Sequence, residues 1–195
     1  MRNIGLTGGI GSGKSTVSKM LLSRNIPVYD SDSKAKILMN SSEEIREKII
    51  KYFGNDSYVN NELNKKYISN IIFNNKSEIK KINSLVHPIV YKDFENWKKN
   101  IVSNYIIFES ALIFETGFYK KNDFNILVVS DLENRIKRVM IRDGLKENDV
   151  LMRIKNQWSD EKKIPLSDYV IINNSMEKTK KQVLKMIIQI NKKFK

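Results

Sequence analysis

The most informative segment of the chain reads Ile4-Gly5-Leu6-Thr7-Gly8-Gly9-Ile10-Gly11-Ser12-Gly13-Lys14-Ser15-Thr16. A short apolar run precedes its glycines, and Val17, Met20 and Leu21 follow at helical spacing. We therefore predict a β-strand, a glycine-rich loop and an α-helix in that order.

The glycine-rich loop fits the Walker A pattern, because it reads Gly8-x-x-x-x-Gly13-Lys14-Ser15. Its glycines allow successive backbone N–H groups to surround phosphate oxygens, and the helix that follows adds the positive end of its dipole. Lys14 is expected to contact the β- and γ-phosphates of a nucleoside triphosphate, and the Ser15 hydroxyl to bind Mg²⁺. We expect nucleotide contacts along the whole loop, at Gly8, Gly9, Ile10, Gly11, Ser12, Gly13, Lys14, Ser15 and Thr16. The sequence lacks a late Asn-Lys-x-Asp guanine signature, which favours ATP over GTP.

Further short apolar runs predict strands that are buried on both faces of a parallel sheet. They are Ile26–Tyr29, Tyr105–Phe108, Ile126–Val129 and Tyr169–Ile172. Because helical patterns lie between them, we predict an α/β fold of the three-layer P-loop NTPase type, with about five parallel strands and ligands at their carboxyl ends. Residues 41–104 are mainly helical, include a helical segment from Leu63 to Phe73, and predict a substrate-binding insertion. Pro88 is expected to break its last helix.

Two carboxylates, Asp30 and Asp32, follow the second predicted strand. Side chains two residues apart in an extended backbone leave from the same side, so both are expected to point toward the loop. A kinase that phosphorylates a hydroxyl needs a carboxylate to orient that hydroxyl and accept its proton. An Asp-Ser-Asp turn in which Asp32 or Ser33 caps the next helix is an equally open interpretation. For Glu109 and Glu115, near the end of the third strand, two interpretations are open: contact with Mg²⁺ through water, and ordinary capping or salt bridging.

The composition excludes several classes of protein. With no cysteine, the chain has no disulfide framework, Cys-based metal site or thiol nucleophile. It has no apolar run long enough for a signal peptide or a membrane span, so we expect a cytoplasmic protein with no membrane partner. The formal net charge of +13 raises nucleic acid as a partner. Because the lysines are spread along the whole chain, we expect no nucleic acid, and we predict a monomer.

Together with Asp30-Ser31-Asp32, the segment from Gly5 to Thr16 resembles the dephospho-CoA kinase family. More of the family's landmarks follow in order: Phe53-Gly54, Leu63-Asn64, Phe73, His87-Pro88, Ala111-Leu112-Ile113-Phe114-Glu115, Arg138, Arg142, Gln157, Asp168 and Asn173. The resemblance covers nearly the whole chain. The chain departs from the family's usual residues at Lys65, where Arg is common, at Ala111, where Pro is common, at Arg135, where Gln is common, and at Ser175, where Gly is frequent.

The resemblance implies transfer of a phosphoryl group from ATP, with Mg²⁺, to the ribose 3′-hydroxyl of dephospho-CoA. It implies a lid at residues 132–165, which leaves residues 1–40, 105–131 and 166–195 as the nucleotide-binding core. It assigns catalysis to Asp32, Lys14 and Arg138, and it adds Arg142 and Asn173 to the nucleotide contacts. Contacts with the acceptor are implied for Thr7, Asp32, Lys65, His87 and Leu112.

From the residues alone, Arg138 and Arg142 share one helical face that either covers the triphosphate or is a solvated basic surface. His87 is the only histidine and precedes a proline, a setting more typical of a structural histidine than of a catalytic one. Two other functions stay open: a nucleoside monophosphate kinase-like P-loop kinase, and a nucleic-acid-stimulated ATPase.

Overall fold

The computed structural model describes residues 1–72 and 75–194, so Phe73 lies outside the described residues. The chain divides into two compact units. The sheet unit comprises Met1–Asp30 and Val102–Lys195, and the helical unit comprises Ser31–Ile101. Among the described residues, no helix combines the length and apolar character needed to cross a bilayer.

The secondary structure alternates between strands and helices in the sheet unit and is mainly helical in the other. The strands are β1 (Arg2–Thr7), β2 (Val28–Asp30), β3 (Tyr58–Val59), β4 (Glu62–Leu63), β5 (Tyr105–Glu109), β6 (Phe124–Val129) and β7 (Tyr169–Ile172). The helices are α1 (Lys14–Leu22), α2 (Ser31–Ser41), α3 (Glu43–Phe53), α4 (Lys65–Ile72), α5 (Lys76–Lys98), α6 (Leu132–Asp143), α7 (Glu147–Lys155), α8 (Asp160–Lys163) and α9 (Met176–Lys193).

The sheet unit contains a five-stranded sheet in the order β2-β5-β1-β6-β7, with every neighbouring pair parallel. This confirms the predicted fold class. The central strands β5 and β6 are apolar and largely buried. On one side of the sheet, α1 and α9 cover them with side chains such as Val17 and Val183. As β1 lies between β5 and β6, the glycine-rich loop leaves the middle of the sheet at its carboxyl edge.

The outer strand β7 is held by a side chain of α9. The Ile172 N–H donates to Gln182 Oε1 at 2.9 Å, and Gln182 Nε2 donates to the Ile172 carbonyl at 2.9 Å. One amide side chain therefore pairs with both backbone groups of Ile172, as a residue of a neighbouring strand does.

In the helical unit, α2 and α3 both pack against α5. The predicted break at Pro88 is wrong, because α5 continues through it from Lys76 to Lys98. Pro88 has no N–H, so the carbonyl of Ser84, four residues earlier, loses its helical hydrogen bond. Both residues are exposed, so water can bind that carbonyl instead. The predicted insertion began at residue 41, whereas the helical unit begins at Ser31, since α2 packs with its helices.

Candidate active site

The glycine-rich loop connects β1 to α1 with the backbone that its glycines allow. Gly11 and Gly13 have φ angles of 77° and 94°, in a region that other residues rarely adopt. The Ser12 N–H donates to the Gly9 carbonyl at 3.0 Å and closes a turn inside the loop. Helix α1 begins at Lys14 directly after Gly13. The N–H groups and positive dipole end of a helix start therefore lie at the end of this loop, an arrangement that binds phosphate.

A buried carboxylate lies beside the loop lysine. Lys14 Nζ is 3.8 Å from Glu109 Oε1, and the two side chains are 13% and 6% exposed. The Ser18 hydroxyl donates to the other oxygen, Glu109 Oε2. Glu109 ends β5, the strand next to β1, and this register places it beside the lysine. The group thus combines a cation for phosphate with a carboxylate that is held in place on both oxygens.

Two of the predicted residues, Arg138 and Asn173, lie against the carbonyl groups of the loop. Arg138 Nη1 donates to the Gly11 carbonyl at 3.2 Å, and Asn173 Nδ2 donates to the Ser12 carbonyl at 2.8 Å. They are joined to each other, because Arg138 Nη2 donates to the Asn173 carbonyl at 2.8 Å. A Cβ atom at Gly13 would overlap the Asn173 amide. The structure therefore places both residues where they brace the loop.

Two further residues contact the tip of the loop and were not assigned a site role from the sequence. Gln157 Oε1 accepts the Ile10 N–H at 2.7 Å, and Arg135 Nε donates to the Ile10 carbonyl at 2.9 Å. Arg135 Nη1 also lies 3.3 Å from Asp160 Oδ2. Burial raises the pKa of Asp160, and the positive charge of Arg135 opposes that rise.

Glu115 is engaged in a buried ion pair. Its Oε1 atom lies 2.7 Å from Lys163 Nζ and accepts the Trp158 N–H at 3.0 Å. The side chain of Lys163 is 0% exposed and that of Glu115 is 13% exposed. Lys163 Nζ makes no hydrogen bond within the described residues, so this pair interacts through charge. Glu115 therefore fixes the segment that follows α7, as the salt-bridge interpretation predicted.

The second-strand aspartates differ from the prediction. Asp30 ends β2, in register with Glu109 of β5. Helix α2 begins at the next residue, Ser31, so Asp32 lies in the first turn of a helix. The prediction that both side chains leave an extended backbone from one side is therefore wrong. A carboxylate in the first turn of a helix is favoured by the helix dipole.

Within the helical unit, the charge of Asp32 acts on His87. His87 is half-buried on α5, against which α2 packs. Burial lowers the pKa of His87, and the negative charge of Asp32 opposes this shift. Of the predicted acceptor residues, Asp32 is thus near enough to His87 for its negative charge to affect the imidazole.

A model of the dephospho-CoA kinase family matches residues 2–179. The chain belongs to the dephospho-CoA kinase family. A dephospho-CoA kinase from Fusobacterium nucleatum is 39% identical over 173 residues, which are 88% of this chain and 89% of that protein. A crystal structure from Thermus thermophilus has a TM-score of 0.85 at 29% identity and covers 96% of both chains. A dephospho-CoA kinase from Campylobacter jejuni, with a TM-score of 0.59 at 24% identity over 97% of both chains, supports the shared fold.

As a dephospho-CoA kinase family member, the chain is an ATP-dependent kinase. The remaining residues that the resemblance implied are dispersed. Arg142 is 60% exposed and hydrogen-bonds both oxygens of Asp143, which raises the pKa of the guanidinium. Thr7 is fully buried at the end of β1, and Leu112 is half-buried after β5. Lys65 is exposed at the start of α4. Their substrate contacts stay predictions.

The oxygen atoms at the loop suit Mg²⁺ in this family member. Ser15 is exposed in the first turn of α1, and Glu109 supplies a carboxylate beside Lys14. In the described ranges, no group of three or more His, Cys, Asp or Glu residues is arranged to hold a metal by itself. Mg²⁺ usually binds one or two protein oxygens together with substrate phosphates, so these residues fit an ion that arrives with ATP.

Proposed function

We propose that this chain transfers the γ-phosphate of ATP to the ribose 3′-hydroxyl of dephospho-CoA. The bond between the β-γ bridging oxygen and the γ-phosphorus breaks, a bond from the 3′-oxygen to that phosphorus forms, and ADP and CoA result. The observation that carries the proposal is the loop from Gly8 to Ser15 with its Lys14–Glu109 pair, in a chain that matches the family over residues 2–179.

The loop residues hold the nucleotide. Backbone N–H groups of the loop and Lys14 bind the β- and γ-phosphates. Ser15 would hold Mg²⁺ through its hydroxyl, and Glu109 would contact the ion through water. When bound, Mg²⁺ neutralises charge on the phosphates. Arg138 and Asn173 support this function through their hydrogen bonds to the Gly11 and Ser12 carbonyls, which keep those peptide groups turned outward. The added cationic charge of Arg138 also favours the transferring phosphoryl group.

Asp32 orients the 3′-hydroxyl and accepts its proton during transfer. The lowered pKa of His87 supports this role, because a neutral imidazole places no competing cation beside the carboxylate. We expect Asp32→Asn to retain ATP binding and to lower kcat about 10²- to 10⁴-fold. Asp56→Asn, at an exposed position of the helical unit, is the control and should leave kcat unchanged. Full turnover in Asp32→Asn would assign the base to another group.

One assay tests the proposed reaction. The protein is incubated with MgATP and, in separate reactions, dephospho-CoA, AMP, CMP, dTMP, shikimate or a polynucleotide, and both ADP and the new phosphoester are measured. We expect rapid CoA formation and no other phosphoester. A preference for AMP or CMP would favour a nucleoside monophosphate kinase, and ADP release stimulated by polynucleotide would favour an ATPase. The monomeric state and cytoplasmic location stay predictions.

A further inference from the structure

The tip of the loop is held from outside by two side chains that share one residue as their target. Ile10 donates its N–H to Gln157 at 2.7 Å and receives a hydrogen bond from Arg135 Nε on its carbonyl at 2.9 Å. Both polar groups of a single loop residue are therefore bound by side chains from the lid region. This contact defines the orientation of the peptide groups on either side of Ile10.

Arg135 is itself fixed on its other side. Its side chain is 10% exposed, and its Nη1 atom lies 3.3 Å from Asp160 Oδ2, which is 19% exposed. Asp160 and Gln157 belong to residues 157–163, which we call the strap. Glu115 fixes the strap as well, through the Trp158 N–H at 3.0 Å and Lys163 Nζ at 2.7 Å. The strap is thus joined both to the loop tip and to the turn after β5.

The shape of the loop fits the arginine closely. A Cβ atom at Gly9 would overlap the Arg135 guanidinium, and one at Gly11 would overlap the Arg135 backbone carbonyl. Gly11 also needs glycine for its φ angle of 77°, whereas Gly9 has no positive φ. A side chain at position 9 would therefore have to displace the Arg135 guanidinium from the place where it meets Ile10 and Asp160.

We propose that Arg135 and Gln157 are positioning residues for ATP, which couple the conformation of the phosphate loop to the strap. By binding the carbonyl and N–H of Ile10, they orient the neighbouring peptide groups so that the following N–H groups face the phosphates. They act on ATP through the loop, without contact with the acceptor. The proposal rests on ATP binding at this loop and is independent of which acceptor is used.

The test compares Arg135→Ala and Gln157→Ala with Lys137→Ala, an exposed cation on the same helix as Arg135. Isothermal titration calorimetry measures ATP affinity without acceptor, and steady-state kinetics measure KM for each substrate. We expect the first two variants to weaken ATP binding and raise the KM for ATP about tenfold, because each leaves one polar group of Ile10 without its protein partner. The KM for dephospho-CoA and the behaviour of Lys137→Ala should stay within about twofold of the parent protein.

A second comparison adds a methyl group at position 9, where it would overlap the Arg135 guanidinium. Gly9→Ala should weaken ATP binding in the parent protein and add a clearly smaller effect in the Arg135→Ala background, because the guanidinium that it overlaps is gone. If Arg135→Ala does not fold, the Gln157→Ala measurements decide the question. ATP affinity within twofold of the parent in a folded Arg135→Ala or Gln157→Ala protein would overturn the proposal. Equal effects on both KM values would also overturn it. If the two variants bind ATP more weakly, as expected, but the parent protein forms no CoA, only the proposed acceptor is refuted.

Discussion

Removing the carboxylate of Glu115 should destabilise the protein strongly, because it leaves the ammonium of Lys163 buried without its partner. The Lys163 side chain is 0% exposed and lies 2.7 Å from Glu115 Oε1. Breaking a buried ion pair by removing one partner costs about 3–5 kcal/mol. For a chain of this size each kcal/mol lowers Tm by roughly 2–4 °C. We therefore expect Glu115→Leu to lower Tm by roughly 6–20 °C.

The double variant makes this prediction sharper. Glu115→Leu with Lys163→Met removes both charges, and apolar replacement of a buried pair is often close to neutral. Glu115 Oε2 has no hydrogen-bond partner in the part of the chain that the structure describes, so little is lost with it. Trp158 is an exposed residue, so its N–H can bind water instead. The double variant should therefore melt above Glu115→Leu alone.

Calorimetric or fluorescence melting measures all of these proteins under one condition. Lys162→Met is the matched control, since Lys162 is the exposed neighbour of Lys163, and its Tm should change by only about 1–2 °C. The reasoning is refuted if Glu115→Leu melts as the control does, or if the double variant melts below Glu115→Leu alone.

Three further predictions concern pH, the loop and the metal. The pKa of His87 is lowered below its ordinary 6.5 in the folded state, so the unfolded state binds more protons and stability should fall as pH drops below about 6.5. Urea unfolding at pH 7.5 and 5.5 measures this loss of stability, which should be smaller in His87→Gln than in the parent protein. An equal loss in both proteins would contradict the assignment of the pH dependence to His87. Gly13→Ala should lose at least about 1–2 kcal/mol of stability, measured by urea unfolding, because of its φ angle of 94° and the overlap with Asn173. EDTA should abolish CoA formation and added Mg²⁺ should restore it, whereas turnover that persists in EDTA would exclude the Ser15 assignment.

The sheet and the loop could be predicted from the sequence because each has a local signal. Buried parallel strands are short apolar runs, and the loop is a continuous motif from Gly8 to Ser15. The hairpin of β3 and β4 was missed because its strands have two residues each, although Asn60 and Asn61 both adopt positive φ angles, of 51° and 67°. A signal for this turn was therefore present in the Asn-Asn dipeptide.

The contacts around Ile10 could not be predicted from local patterns. Arg135 and Gln157 lie 125 and 147 positions away from Ile10 in the sequence. No periodicity links residues so far apart, and only the packing of α6 and the strap brings them together. The prediction that Asp32 lies in an extended backbone was wrong for a different reason. The residues Asp30-Ser31-Asp32 are compatible with both a strand end and a helix start, and here they begin α2, which packs against α5.

The pairing of Gln182 with Ile172 bears on how molecules of this chain meet each other at high concentration. An outer strand normally presents unpaired N–H and carbonyl groups, which can recruit a strand from another molecule and begin aggregation. Here the amide of Gln182 already saturates both groups of Ile172 at the end of β7. At the position of Ile172, a single side chain thus removes the backbone groups through which another molecule could add a strand to β7.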